Sequence, residues 1–141
     1  MRDSANAILD YVNRRGRLLT ALSDSLAASA TCATRLDLSG FEDQVTEQET
    51  LCRQIAGLDR HAAQLRTHLG QLTSADQVSP ELREALARLM EAQARLAICN
   101  RTHQLLLRRA RRTAAALLRS YEHFFSGVYE DPARSASGQV A

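Results

Sequence analysis

The sequence predicts an all-α protein of three long antiparallel amphipathic helices, a coiled-coil-like bundle with an extended third helix. Three observations predict it. Leu and Ala recur at alternating steps of three and four through most of the chain, the spacing of one helix face. Glycine and proline are scarce, with 6 and 2 copies in 141 residues, which favours long uninterrupted elements. Aromatics make up only 4% and Trp is absent, which suits a thin Leu and Ala layer between helices better than a wide globular interior. The length fits one domain. We expect a single helical domain over residues 1–129, with helices at about 4–36, 40–73 and 80–128, followed by a small, polar, disordered tail at 130–141.

The first helix starts near Asp3 or Ser4, either of which can cap it. Ile8, Val12, Leu19, Leu22, Leu26 and Ala33 then recur at helical spacing. Gly16 and the Ala- and Ser-rich stretch from Ala27 to Ala33 predict a looser helix than the other two. Asp37-Leu38-Ser39-Gly40 reads as the break. The second helix begins at Ser39, with Glu42 at capping-box spacing. Its seam is Leu51, Ile55, Leu58, Ala62, Leu65, Leu69 and Leu72, and Thr73 to Val78 form the next connection. The third helix has the clearest start: Ser79-Pro80-Glu81 places a cap, a first-turn proline and a first-turn acid in order. From Leu82 its seam runs through Leu86, Leu89, Gln93, Leu96, Asn100, His103, Leu107, Ala110, Ala114, Leu117, Tyr121, Phe124 and Val128. A helix of that length spans roughly 70 Å at 1.5 Å per residue.

Short connections make successive helices antiparallel neighbours. If helices two and three turn near residue 76, facing residues sum to about 152. That register places Ser39 opposite the neighbourhood of Thr113. The end of the third helix is then left without an intrachain partner. It carries Leu117, Leu118, Tyr121, Phe124, Phe125, Val128 and Tyr129, and four of the six aromatics of the chain fall at positions 121–129. An uncovered apolar stripe of this length calls for a partner helix, a second copy, or a fold-back of the chain onto itself. Those seven residues are the candidate partner-binding site.

The same register bears on charge and thiols. Between Arg95 and Tyr121 stand seven arginines and no acid, and Lys is absent from the whole chain. Set beside Glu42, Asp43, Glu47 and Glu49, the basic run reads first as complementary charge along a helix pair. An acidic protein partner and nucleic acid are the other two readings. Cys52 falls near Cys99, as two small buried thiols in one layer or as a redox pair. The odd set Cys32, Cys52 and Cys99, without a CxxC, is neither a disulfide framework nor a zinc site. Asn100 at the seam reads as a register-setting buried amide, and His103 as a satisfied core histidine. His61 and His68 are too far apart for a helical metal pair.

The net charge of +2 implies neither nucleic acid nor membrane. The N-terminus lacks the apolar core of a signal peptide, and no apolar run reaches the ~20 residues of a membrane span. No phosphate loop, HExxH or nucleophile elbow occurs, so neither catalysis nor a cofactor is expected. Reduced thiols fit a cytoplasmic protein.

Three stretches carry a family resemblance: Asn100-Arg101-Thr102-His103-Gln104-Leu105-Leu106-Leu107-Arg108-Arg109 followed by Ala114-Ala115-Leu117-Leu118; Gln48-Glu49-Thr50-Leu51-Cys52-Arg53-Gln54-Ile55; and Val128-Tyr129-Glu130-Asp131-Pro132. From about Leu18 to Tyr129 the chain resembles the FlgN family of flagellar type III export chaperones. Gly127 precedes Tyr129 here, where the family commonly has the tyrosine first. The resemblance implies a cytoplasmic chaperone that binds flagellar hook-associated (hook-filament junction) proteins and shields their helical ends. It also implies presentation of those clients to export apparatus components, with the C-terminal helix as binding element. The alternative reading is a homo-oligomeric structural coiled coil, in which the same stripe mediates self-association. A nucleic-acid-binding helical protein is a third.

Overall fold

The computed structural model describes residues 2–72 and 78–128. The described residues form four α-helices and no strand: α1 Arg2–Thr34, α2 Leu38–His61, α3 Ala63–Leu72 and α4 Pro80–Val128. The all-α prediction holds, with the second of the three expected helices divided in two. Residues 73–77 of the expected connection Thr73 to Val78, Tyr129 and the tail at 130–141 lie outside the described residues, as do the side chains of Leu69, Leu72 and Val128.

Backbone packing separates two compact units, residues 1–103 and 104–141. In the first, α1 runs antiparallel to α2 and parallel to the start of α4. Tyr11 meets Asp59, Ser25 meets Gln44, and Asp24 meets Arg95. The core is one layer made by Ile8, Tyr11, Val12, Leu19, Ala62, Leu82, Ala85 and Leu89, with Ile55, Leu58, Leu65 and Leu96 packed against it. In the Ala- and Ser-rich part of α1, Ala27 and Thr31 are exposed and Ser29 is the buried residue. Ser23 and Ser29 are fully buried, and their hydroxyls donate to Leu19 and Leu26 carbonyls at 3.0 and 2.9 Å.

The helix ends show which cap signals the chain uses. α1 closes in a Schellman turn: Leu36 adopts φ 58°, its N–H bonds the Ala33 carbonyl at 3.2 Å, and the Asp37 N–H bonds the Cys32 carbonyl at 2.9 Å. A leucine thus holds the left-handed position usual for glycine. Asp37, not Ser39, caps α2, accepting from the Gly40 N–H at 2.9 Å. The Ser39–Glu42 capping box does not form, because Ser39 is already inside the helix. A Cβ at Gly40 would meet the Asp37 carboxylate, so a larger residue there displaces the cap. Ser79 caps α4 as its sequence predicts, its hydroxyl accepting from the Leu82 N–H at 3.2 Å.

The expected helix 40–73 breaks at Ala62, whose φ −102° and ψ 13° close α2. Helical bonding resumes at once, with Arg66 N–H to the Ala62 carbonyl at 2.9 Å. Neither Gly nor Pro marks this kink. Ala62 is 3% exposed and belongs to the core with Leu82 and Ala85.

The phase of α4 also differs from the expected seam. Gln93 and Asn100 are exposed, while Ala85 is buried and Ala92 and Cys99 are half-buried. The face turned inward is Leu82, Ala85, Leu89, Ala92, Leu96, Cys99 and His103. Small residues take every second position, so Asn100 is not the buried register-setting amide that its spacing indicates.

Candidate partner-binding face

His103 is the last residue of the first unit and fixes its register. It is 8% exposed, and its ring stacks on Phe41 with centroids 6.1 Å apart. Facing residues that sum to about 152 would set residue 111 opposite Phe41, so the observed alignment is shifted by about eight residues, or roughly two turns. His103 Nδ1 lies 3.4 Å from Ser29 Oγ. That hydroxyl donates to the Leu26 carbonyl at 2.9 Å and accepts from Gln48 Nε2 at 3.2 Å. Its proton is committed to Leu26, so Nδ1 of the histidine meets it as a donor. The Ser–His pair is therefore a satisfied core contact and no catalytic dyad. Burial pushes the His103 pKa below its ordinary value.

A second polar cluster ties α1 to α2. Asp59 accepts from the Tyr11 hydroxyl at 2.8 Å and from Arg15 Nε at 3.0 Å and Nη2 at 3.4 Å. Burial pushes the Asp59 carboxyl up, but the bonds from Arg15 and Tyr11 outweigh it and hold its pKa below the ordinary value. Burial and the Asp59 hydrogen bond both raise the Tyr11 phenol. This cluster joins α1 to α2 at the half-buried edge of their interface.

In the second unit no described side chain is buried. From Gln104 to Gly127 only Leu106, Leu107 and Phe125 are even half-buried. Leu117 is 66% exposed, Leu118 61%, Tyr121 62% and Phe124 66%. The steps Leu117, Tyr121, Phe124 and Val128 follow one line along the helix, and Leu118 and Phe125 lie beside it. The aromatic side chains contact one another. Tyr121 and Phe125 have centroids 4.4 Å apart and tilted by 45°, and Phe124 meets Phe125 edge-on at 5.8 Å. The helix thus gathers five of the seven predicted residues, Leu117, Leu118, Tyr121, Phe124 and Phe125, into one apolar surface. Val128 ends the same helix, and Tyr129 lies outside the described residues.

The arginines were expected to pair with the acids of the second helix. The ion pairs among the described residues are Arg15–Asp59, Arg88–Glu84 and Arg95–Asp24. None uses Arg101, Arg108, Arg109, Arg111, Arg112 or Arg119, nor Glu42, Asp43, Glu47 or Glu49. Arg95, from the same run, pairs instead with α1. The expected buried pair of thiols is also corrected: Cys52 is exposed, and Cys99 and Cys32 are half-buried. The described residues hold no group of three or more His, Cys, Asp or Glu able to bind a metal. No described helix is long and apolar enough to cross a membrane.

Compared with known proteins, the chain matches no family model, no curated protein and no solved structure.

Proposed function

We infer that this chain is a cytoplasmic export chaperone of the FlgN type, which captures flagellar hook-filament junction proteins through the C-terminal stretch of α4 and hands them on to the export apparatus. The observation that carries the reading is the exposed stripe Leu117, Leu118, Tyr121 and Phe124 on one continuous helix. Contiguous apolar surface of this kind marks an interaction site on a folded protein. A regular helix presents it, which suits a partner that is itself an amphipathic helix packing alongside.

The energetics fit a carrier. Each well-buried Leu or Phe contributes about 1.5–3 kcal/mol, from which ordering of the client helix subtracts. The surplus supports capture without making release prohibitive. The resemblance over Asn100 to Leu118 and Gln48 to Ile55 supports the client class.

The test is co-purification with hook-filament junction proteins from cells that express them. The full chain is expected to bring the client down. A chain lacking residues 117–129 is expected to lose it while keeping its helical circular dichroism. Client recovery by the truncated chain at the full-length level overturns the reading.

A further inference from the structure

Charge around the stripe restricts what it accepts. From Gln104 to Val128 the helix carries five arginines against one acid, Glu122. Their positions around the helix are not equivalent. Arg109 and Arg111 stand about 100° to either side of Ala110, on the two edges of the line that continues through Ala114, Leu117, Tyr121 and Phe124. Arg108, Arg112 and Arg119 stand on the opposite side, where they keep the whole segment positive. No ion pair among the described residues involves any of the five. Between its two arginine edges stand Ala110 and Ala114, with Thr113 beside them, and these small side chains leave room for large side chains of a partner.

We propose that the partner helix carries carboxylates flanking its apolar stripe, which meet Arg109 and Arg111 where its large side chains pack over Ala110 and Ala114. The proposal rests on the reading of the stripe as a helix-binding face. It names the chemistry of the client: an acid-edged amphipathic helix rather than any exposed apolar helix. A second copy of this chain is the wrong occupant, because it sets two arginine-rich segments side by side with a single acid on each. Long-range attraction from the back arginines speeds the encounter with an acidic partner.

The experiment titrates the full chain against labelled helical peptides of roughly 20 residues that share one leucine stripe. One peptide is flanked by Glu and the other by Gln at the same positions. The Glu peptide is expected to bind about tenfold more tightly at about 50 mM salt, with the difference falling below about twofold near 0.5 M. Combining Arg109→Gln with Arg111→Gln is expected to abolish the preference while the Gln peptide binds as before. Both sites are exposed, so the fold is not at stake. Equal affinity of the two peptides overturns the acid-edge proposal and leaves the helix-binding reading intact. Failure of both peptides to bind overturns that reading as well. Full displacement of the Glu peptide by a single-stranded oligonucleotide of equal charge, or a chain dimer that takes up no peptide, also overturns the proposal.

Discussion

Replacing Asp59 by alanine removes the one acceptor that joins Tyr11 and Arg15 across the α1–α2 interface. The carboxylate takes three hydrogen bonds, at 2.8, 3.0 and 3.4 Å. Its side chain is 22% exposed and that of Arg15 19%, so solvent screens the pair only in part. Hydrogen bonds to charged groups contribute about 1.5–3 kcal/mol each when well formed, and the partners left behind lose their acceptor. With the longest bond discounted and some relief from water at Arg15, Asp59→Ala is expected to cost about 2–4 kcal/mol. Urea unfolding followed by circular dichroism at pH 7 reads this directly. A double-mutant cycle with Tyr11→Phe separates the phenol's share, expected at about 0.5–1.5 kcal/mol of coupling. The pH dependence provides an independent check. Because the folded pKa of Asp59 is depressed, the cluster contributes fully above the ordinary value of 3.8 and is lost as pH falls through the lower folded value. The variant should therefore lose less stability than the parent on acidification below pH 3.8. A loss within about 0.5 kcal/mol of the parent at pH 7, the range of ordinary surface substitutions, would refute this account of the interface.

Three further outcomes follow from the fold. Burial lowers the His103 pKa, so the unfolded chain takes up a proton first as pH drops below the ordinary value of 6.5. Stability should therefore fall between that pH and the lower folded pKa. His103→Gln should flatten the unfolding midpoint over that range, and an unchanged slope counts against the assignment. Leu36 is 84% exposed at φ 58°, so Leu36→Gly relieves backbone strain without losing packing. After the flexibility cost of glycine it should stabilise by up to about 1 kcal/mol, visible as a raised melting temperature. Asp37→Ala removes the α2 cap and should cost about 1 kcal/mol in denaturant unfolding, while a cost under about 0.3 argues that another group caps the helix.

The legible parts of this chain are those where one side chain states the geometry. Ser79-Pro80-Glu81 names the start of α4 because a hydroxyl, a fixed φ and a carboxylate each suit one position of a first turn. Ile8, Val12, Leu19, Leu22 and Leu26 are buried because large side chains at helical spacing have one useful place to go. The phase of α4 is less legible. Leu82, Leu89 and Leu96 fit two seams equally well, and the structure chooses the one completed by Ala85, Ala92 and Cys99. Small residues permit close approach of α4, yet they carry little hydrophobic signal. The register differs as well: His103, not residue 111, meets Phe41, and the estimate from sequence treated the chain through Ala62 as one unbroken helix. That kink has neither Gly nor Pro to announce it. Ser39 and Asp37 both qualify as caps for α2, and the Schellman turn at Leu36 decides between them. The candidate site itself is legible because it breaks a rule. A helix seam continues in Leu, Tyr and Phe where the structure buries none of its described side chains.

The central claim is that this seam is a binding surface. The most direct measurement is calorimetric titration of a hook-filament junction protein into the full chain and into a triple variant, Leu117→Asp, Tyr121→Asp and Phe124→Asp. All three residues are more than half exposed, so their replacement leaves the folded bundle in place. Losing three buried apolar contacts removes about 4–9 kcal/mol of gross binding energy, and even the lower figure exceeds the ~2.7 kcal/mol that corresponds to a hundredfold change. The account predicts a Kd weakened at least about a hundredfold, with helical content unchanged. A Kd within about twofold of the parent, or no binding by the parent chain, contradicts it.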